Sequence, residues 1–132
     1  MTAALRELVR QRAIGRCEYC RMPQAAMPDA PFHVEHVVAR QHRGTEDPAN
    51  LALACPQCNC CKGTNLAGID PDSAREARLF HPRSDLWDEH FTFDGERIHG
   101  LTAVGRTTAW LLRMNSGPYV MLRRQLMDEG VW

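Results

Sequence analysis

At 132 residues, with 16 acidic and 16 basic side chains and a formal net charge of zero, the chain has the size of one domain, and its overall charge demands no nucleic-acid partner. No apolar run approaches the roughly 18 residues that a membrane span requires, and the opening MTAALRELVRQRAIGR has the pattern of an amphipathic helix rather than a signal peptide, so the expectation is a soluble, cytoplasmic protein. In that reducing compartment six cysteines read as thiolate ligands or buried thiols rather than disulfides.

Leu5, Leu8 and Val9 follow helical spacing, so residues 2–14 are expected to form a short helix that Gly15 ends. MPQAAMPDAP, with three prolines and no periodicity, is a loop leading to FHVEHVV, whose β-branched residues favour a strand. HRGTEDPAN is a loop, LALAC a second strand, and PQCNCCKGTN a helix starting at Pro56 and stopping near Gly63. GIDPDSAREARLFHPRSDLWDEH reads as irregular with one helical turn. FTF and RIHGL flank DGE as a hairpin. Thr102 can cap a helix running to about Met114; Ser116 and Pro118 can open another that ends before Gly130, with Tyr119, Leu122 and Leu126 on one face. From Arg97 to Met127 there are five arginines (97, 106, 113, 123, 124) and no acid, which leaves room for a basic patch there. Fifteen of the 16 bases are arginine, which suits phosphate contacts and equally suits a compositional bias.

Cys17-x-x-Cys20 and Cys55-x-x-Cys58 have the spacing at which a tight turn presents two sulfurs to one tetrahedral ion, and four thiolates would close a structural zinc site. The 34 residues between the pairs exceed the usual ribbon spacing of about 15 to 20, so a functional segment is inserted between them. Cys60 and Cys61 read as small apolar helix residues, with substitution as a ligand the alternative.

The insert carries HVEHVVARQHRG, residues 33–44. Alternation on a strand puts His33 and Glu35 on one face and His36 on the other. A carboxylate at Glu35 can bind a hard divalent cation, and a neutral imidazole at His36 can accept a proton from water. Asn59 is the best candidate for a second ligand, because it directly follows Cys58 and its amide oxygen suits magnesium or manganese better than zinc. Asn50 can bond loop backbone and pin the turn behind His36, or be an ordinary turn asparagine.

Taken in order, CEYC, HVEHVVARQHRG and EDPANLALACPQCNCCKGTN resemble the HNH endonuclease family, in its form with two C-x-x-C pairs bracketing the site; the resemblance covers residues 17–65. It implies an α+β fold with a ββα-metal (His-Me finger) core, in which two antiparallel strands and a helix grip one catalytic divalent ion, together with a structural zinc site made by four cysteines and hydrolysis of DNA phosphodiester bonds. By position, His36 matches the family's general base, Glu35 the acidic ligand before it (usually aspartate), Asn50 the asparagine that orients the base and braces the loop, and Asn59 the final metal ligand, histidine in the name-giving pattern. Glu35 therefore carries one methylene more than the usual ligand. His33 is a candidate for an added metal ligand or for a hydrogen bond to Glu35, the latter favoured; Lys62 and Arg40 are candidate phosphate contacts, and His42 would stabilise the loop or touch DNA.

These expectations make one domain over 1–132, with a motif core at 17–65 and a hairpin and helical extension at 90–132. The expected cofactors are Zn2+ (structural) and Mg2+ or Mn2+ (catalytic); the expected partner is DNA in double-stranded form, with no membrane. A single catalytic site would nick DNA as a monomer, and a homodimer would cut both strands. Two rival readings are a non-catalytic zinc-dependent nucleic-acid-binding domain, and an interaction module using Trp110, Tyr119 and Trp132 on the terminal helices.

Overall fold

Thr2 caps the first helix: the hydroxyl accepts from the Leu5 amide (3.1 Å) and α1 runs Ala3–Arg12, within the expected 2–14, burying Val9. The computed structural model describes residues 1–132. They form an α+β chain that divides into two compact units, Met1–Thr64 with His81–Asp85, and Asn65–Phe80 with Leu86–Trp132.

In the first unit, β1 (His33–His36) pairs antiparallel with β2 (Leu51–Ala54), with Glu35 opposite Ala52 and His36 opposite Leu51. α2 (Pro56–Lys62) follows at once and packs on both strands, which makes the ββα arrangement. The proline sits in the first turn of α2, where its missing N–H goes unnoticed. β2 is buried along its whole length, and with Val9, Met22, Phe32 and Val37 it forms this unit's core; burying each large apolar side chain stabilises by about 1.5–3 kcal/mol. β1 is shorter than FHVEHVV suggests, because after His36 the chain bends into a loop; the Val37 amide still reaches across, to Asn50 O (2.8 Å). The loop closes tightly at Gly44, where a Cβ would lie 1.6 Å from Val38 O, so only glycine fits.

In the second unit the sequence reading of residues 68–90 as irregular needs correction. β3 (Ala67–Ile69) and β4 (Glu76–Arg78) form a hairpin, followed by the helical turn α3 (Trp87–His90). Its strands carry almost no β-branched residues, and the turn is built instead by Asp70, whose N–H and C=O bond Arg75 O and Ala74 N (both 2.8 Å). β5 (Phe91–Asp94) and β6 (Arg97–Gly100) form the expected hairpin around Gly95–Glu96. α4 (Ala103–Leu111) is capped by Thr102 and packs on β6, β3 and β4; it ends three residues before Met114, where Arg113 takes φ +53. α5 runs Gly117–Asp128. Its buried stripe is Tyr119, Arg123 and Leu126, rotated from the predicted one, with Leu122 only half-buried. The Arg123 guanidinium is fully buried because it donates to two carbonyls, Met114 O and Glu96 O. No helix is long and apolar enough to cross a membrane.

Candidate metal centre and active site

The two cysteine pairs meet. The Sγ atoms of Cys17, Cys20, Cys55 and Cys58 are all buried and lie within 4.8 Å of one another, with Cys20 and Cys55 3.8 Å apart. A tetrahedron of sulfurs about 2.3 Å from a central Zn2+ has edges of about 3.8 Å, so the cluster fits that ion. Each pair is pre-shaped by its own turn: the Cys20 amide points at Cys17 Sγ (3.5 Å) and the Cys58 amide at Cys55 Sγ (3.4 Å). Burial and the sulfurs of Cys17 and Cys55 push the Cys20 thiol well above its ordinary range, and neighbouring thiols, then burial, do the same to Cys58. A dication reverses that preference by stabilising thiolates. Cys60 is exposed, Cys61 half-buried, and neither belongs to the cluster.

The two residues inside the first pair tie it to the strands. Glu18 exchanges backbone and side-chain bonds with Leu53 (Glu18 N to Leu53 O and Leu53 N to Glu18 Oε2, both 2.9 Å), and its other oxygen receives Arg83 from the returning segment His81–Asp85. Burial and the Arg12 guanidinium push Arg83 down to about 10, so it stays charged at neutral pH. Tyr19 is fully buried and donates its hydroxyl to Glu35 Oε1.

Glu35 is thus enclosed, 7% exposed. Besides Tyr19, it meets the Lys62 ammonium, 3.3 Å from Oε2; Lys62 is itself 2% exposed and also donates to Val37 O at 2.8 Å. Burial pushes the Glu35 carboxyl above its ordinary range, while Lys62 and Tyr19 pull the other way. Burial and then the charge of Glu35 raise the Tyr19 hydroxyl, so tyrosine remains the donor. Lys62 accordingly faces inward, toward Glu35, rather than outward as a phosphate contact.

His36 is half-buried, and its Nε2 is enclosed without a hydrogen-bond partner. Asn50 braces the loop that follows: its Oδ1 accepts from Val38 N (2.9 Å) and its Nδ2 donates to Val38 O (3.0 Å) and Thr45 O (2.8 Å). Asn59 lies half-buried on α2, held by backbone bonds to Cys55 and Gly63. His33 is exposed at the open end of the hairpin and is not among the partners of Glu35. Arg40 is exposed and paired to Glu46 (2.5 Å), and His42 is exposed in the same loop. Sequence reading missed Glu18, Tyr19 and Arg83. The first two lie in CEYC, but a polar or aromatic residue between zinc ligands has no pattern of its own until its partner, 16 to 65 residues away, is known.

The family model described as HNH endonuclease matches residues 17–65. Comparison with curated proteins and with solved structures gives no match. The matched segment begins at Cys17, contains both strands, α2 and all four clustered sulfurs, and ends beside the boundary of the first unit. Residues 17–65 thus match the HNH endonuclease family, a family of nucleases, and the four clustered cysteines fit its zinc-bracketed form.

Proposed function

We propose that the protein is a metal-dependent endonuclease hydrolysing DNA phosphodiester bonds, with His36 as general base. The observation that carries this reading is the enclosed, unpartnered Nε2 of His36. A buried polar atom without a partner costs about 1–3 kcal/mol, and such atoms persist where a reaction uses them. An imidazole nitrogen with an unshared lone pair is what proton abstraction from water needs.

The donor set suits a catalytic divalent ion. An ionised carboxylate offers about four lone-pair positions, of which Tyr19 and Lys62 use one each; the Asn59 amide oxygen is a second hard donor. Glu35 and Asn59 would hold Mg2+ or Mn2+, which supplies electrostatic stabilisation of charge on the phosphoryl oxygens when bound. The chain's own residues do the rest: His36 takes the proton from the attacking water, Asn50 fixes the loop behind it, and Tyr19 and Lys62 orient Glu35. The sulfur cluster has four protein ligands and no open position, so its role is structural.

The test is nicking of supercoiled plasmid by the zinc-loaded protein with Mg2+ or Mn2+, beside His36→Ala. The variant should lose about 10²- to 10⁴-fold in rate with unchanged circular dichroism, and cutting at the parental rate overturns the assignment. One observation favours a second reading, a non-catalytic zinc-dependent nucleic-acid-binding domain: the Lys62 ammonium stands beside the carboxylate a cation would need. DNA binding without metal-dependent nicking would establish it.

A further inference from the structure

A cleft of about 450 Å³ opens on the second unit, between β6, α4 and the β3–β4 turn. Its size falls within the roughly 300–1,000 Å³ typical of small-molecule sites. Arg97 and His99 stand on the exposed face of β6, opposite buried Ile98 and Gly100. Arg106, Trp110 and Arg113 recur at i, i+4 and i+7 along α4 and past its end, which places them on one stripe.

The chemistry of this wall is selective. Arg106 is chelated by Asp70 (3.0 and 2.9 Å) and also pairs with Asp72 (3.2 Å), so the one acid lining the cleft, Asp72, is already neutralised by a cation. Arg97 pairs with no acid, and Arg97 and Arg113 are both exposed. Trp110 is 66% exposed, whereas the unit's other tryptophans are held against rings, Trp87 on Phe91 and Phe93 and Trp132 edge-on to Phe93. A largely exposed ring, with arginines beside it in a concavity of this size, matches one unpaired nucleotide: the base stacks on the indole and the adjoining phosphates meet the arginines. A duplex keeps its bases stacked on each other and offers no such face.

We propose that this cleft is a binding subsite for single-stranded DNA, taking one unstacked base on Trp110 and its flanking phosphates on Arg97 and Arg113. The choice of DNA as the polymer rests on the nuclease reading; the stacking and phosphate chemistry does not. The subsite would hold an unpaired stretch of substrate.

The test is fluorescence anisotropy of a labelled 12-nucleotide oligothymidylate with the full, zinc-loaded chain, without added divalent ions so that no cleavage intervenes. Trp110→Ala should weaken binding by about 5- to 100-fold, Trp110→Phe should keep most of it, and Arg97→Ala should lower the slope of log affinity on log salt by about 0.7. Both side chains are exposed, so circular dichroism should be unchanged. Duplex of the same length should bind more weakly and be indifferent to Trp110. The proposal is overturned if the oligonucleotide fails to bind, if Trp110→Ala binds as well as the parent, or if only Arg97→Ala matters. A protein that never nicks plasmid yet binds through Trp110 refutes the nuclease reading alone; one that nicks but ignores Trp110 refutes the subsite alone.

Discussion

Glu35 and Lys62 are both buried ions, 27 residues apart in sequence and 3.3 Å apart in space. Removing one partner of such a pair leaves an uncompensated buried charge and typically costs about 3–5 kcal/mol, whereas removing both can be nearly neutral. Lys62→Met should therefore lower the unfolding free energy measured in urea by that amount, and Glu35→Gln combined with Lys62→Met should recover most of it; additive losses would show that the two do not act as a pair. Glu35 stands out in the sequence as a candidate carboxylate because it precedes His36 in a strand between two cysteine pairs. Its surroundings were not: that Lys62 points inward, or that a tyrosine from CEYC reaches Oε1, depends on tertiary packing that no local pattern encodes. Asn50 is the opposite case. Its three bonds to Val38 and Thr45 are those a turn asparagine makes, so spacing alone indicated its brace.

Among the elements, those with helical spacing, a cap or a proline to mark them were readable: α1 from Leu5, Leu8 and Val9, α2 from Pro56 to Gly63, α4 from Thr102, and the hairpin around Gly95. The β3–β4 hairpin was not, since three-residue strands of Ala-Gly-Ile and Glu-Ala-Arg carry no alternation; what holds it is Asp70, anchored to Arg106 on α4. Arg106, followed by the Asp72 amide and Ser73, holds the Asp70 carboxyl well below the usual aspartate range. A carboxylate whose folded pKa is depressed stabilises the fold above its unfolded pKa of about 3.9, and that contribution disappears as pH falls below it. Asp70→Asn should thus destabilise at pH 7 while flattening the fall in stability between about pH 4 and pH 2, followed by urea unfolding at each pH. An acid limb identical to the parent's would remove Asp70 from the account.

At the scale of the whole molecule, the arginine-rich stretch 97–127 is less of a cationic surface than its composition suggests. Arg123 is buried on carbonyls, Arg124 sits between Glu96 (3.5 Å) and Asp128 (3.7 Å), and Arg106 is chelated by Asp70. The division into two units also separates the probes. All three tryptophans lie in the second unit and all four clustered cysteines in the first. Stripping zinc with a chelator, or replacing Cys55 with serine, should therefore remove helical circular dichroism from the first unit while tryptophan emission barely changes, because structural zinc contributes its binding energy directly to folding. Simultaneous loss of both signals would mean that the second unit depends on the first.

The clasp of Arg83 on Glu18 bears on how the chain is made. The first unit is not finished at residue 64; it takes back His81–Asp85 after sixteen residues that belong to the other unit. During synthesis the four cysteines are all present once Cys58 emerges, yet Glu18 stays buried without its counter-charge until Arg83 follows. A shortened protein ending at residue 65 would keep every motif by which the family is known and still lack one half of an ion pair. The second unit's first hairpin is therefore translated before the first unit receives Arg83, so the two units are interleaved in order of synthesis as well as in sequence.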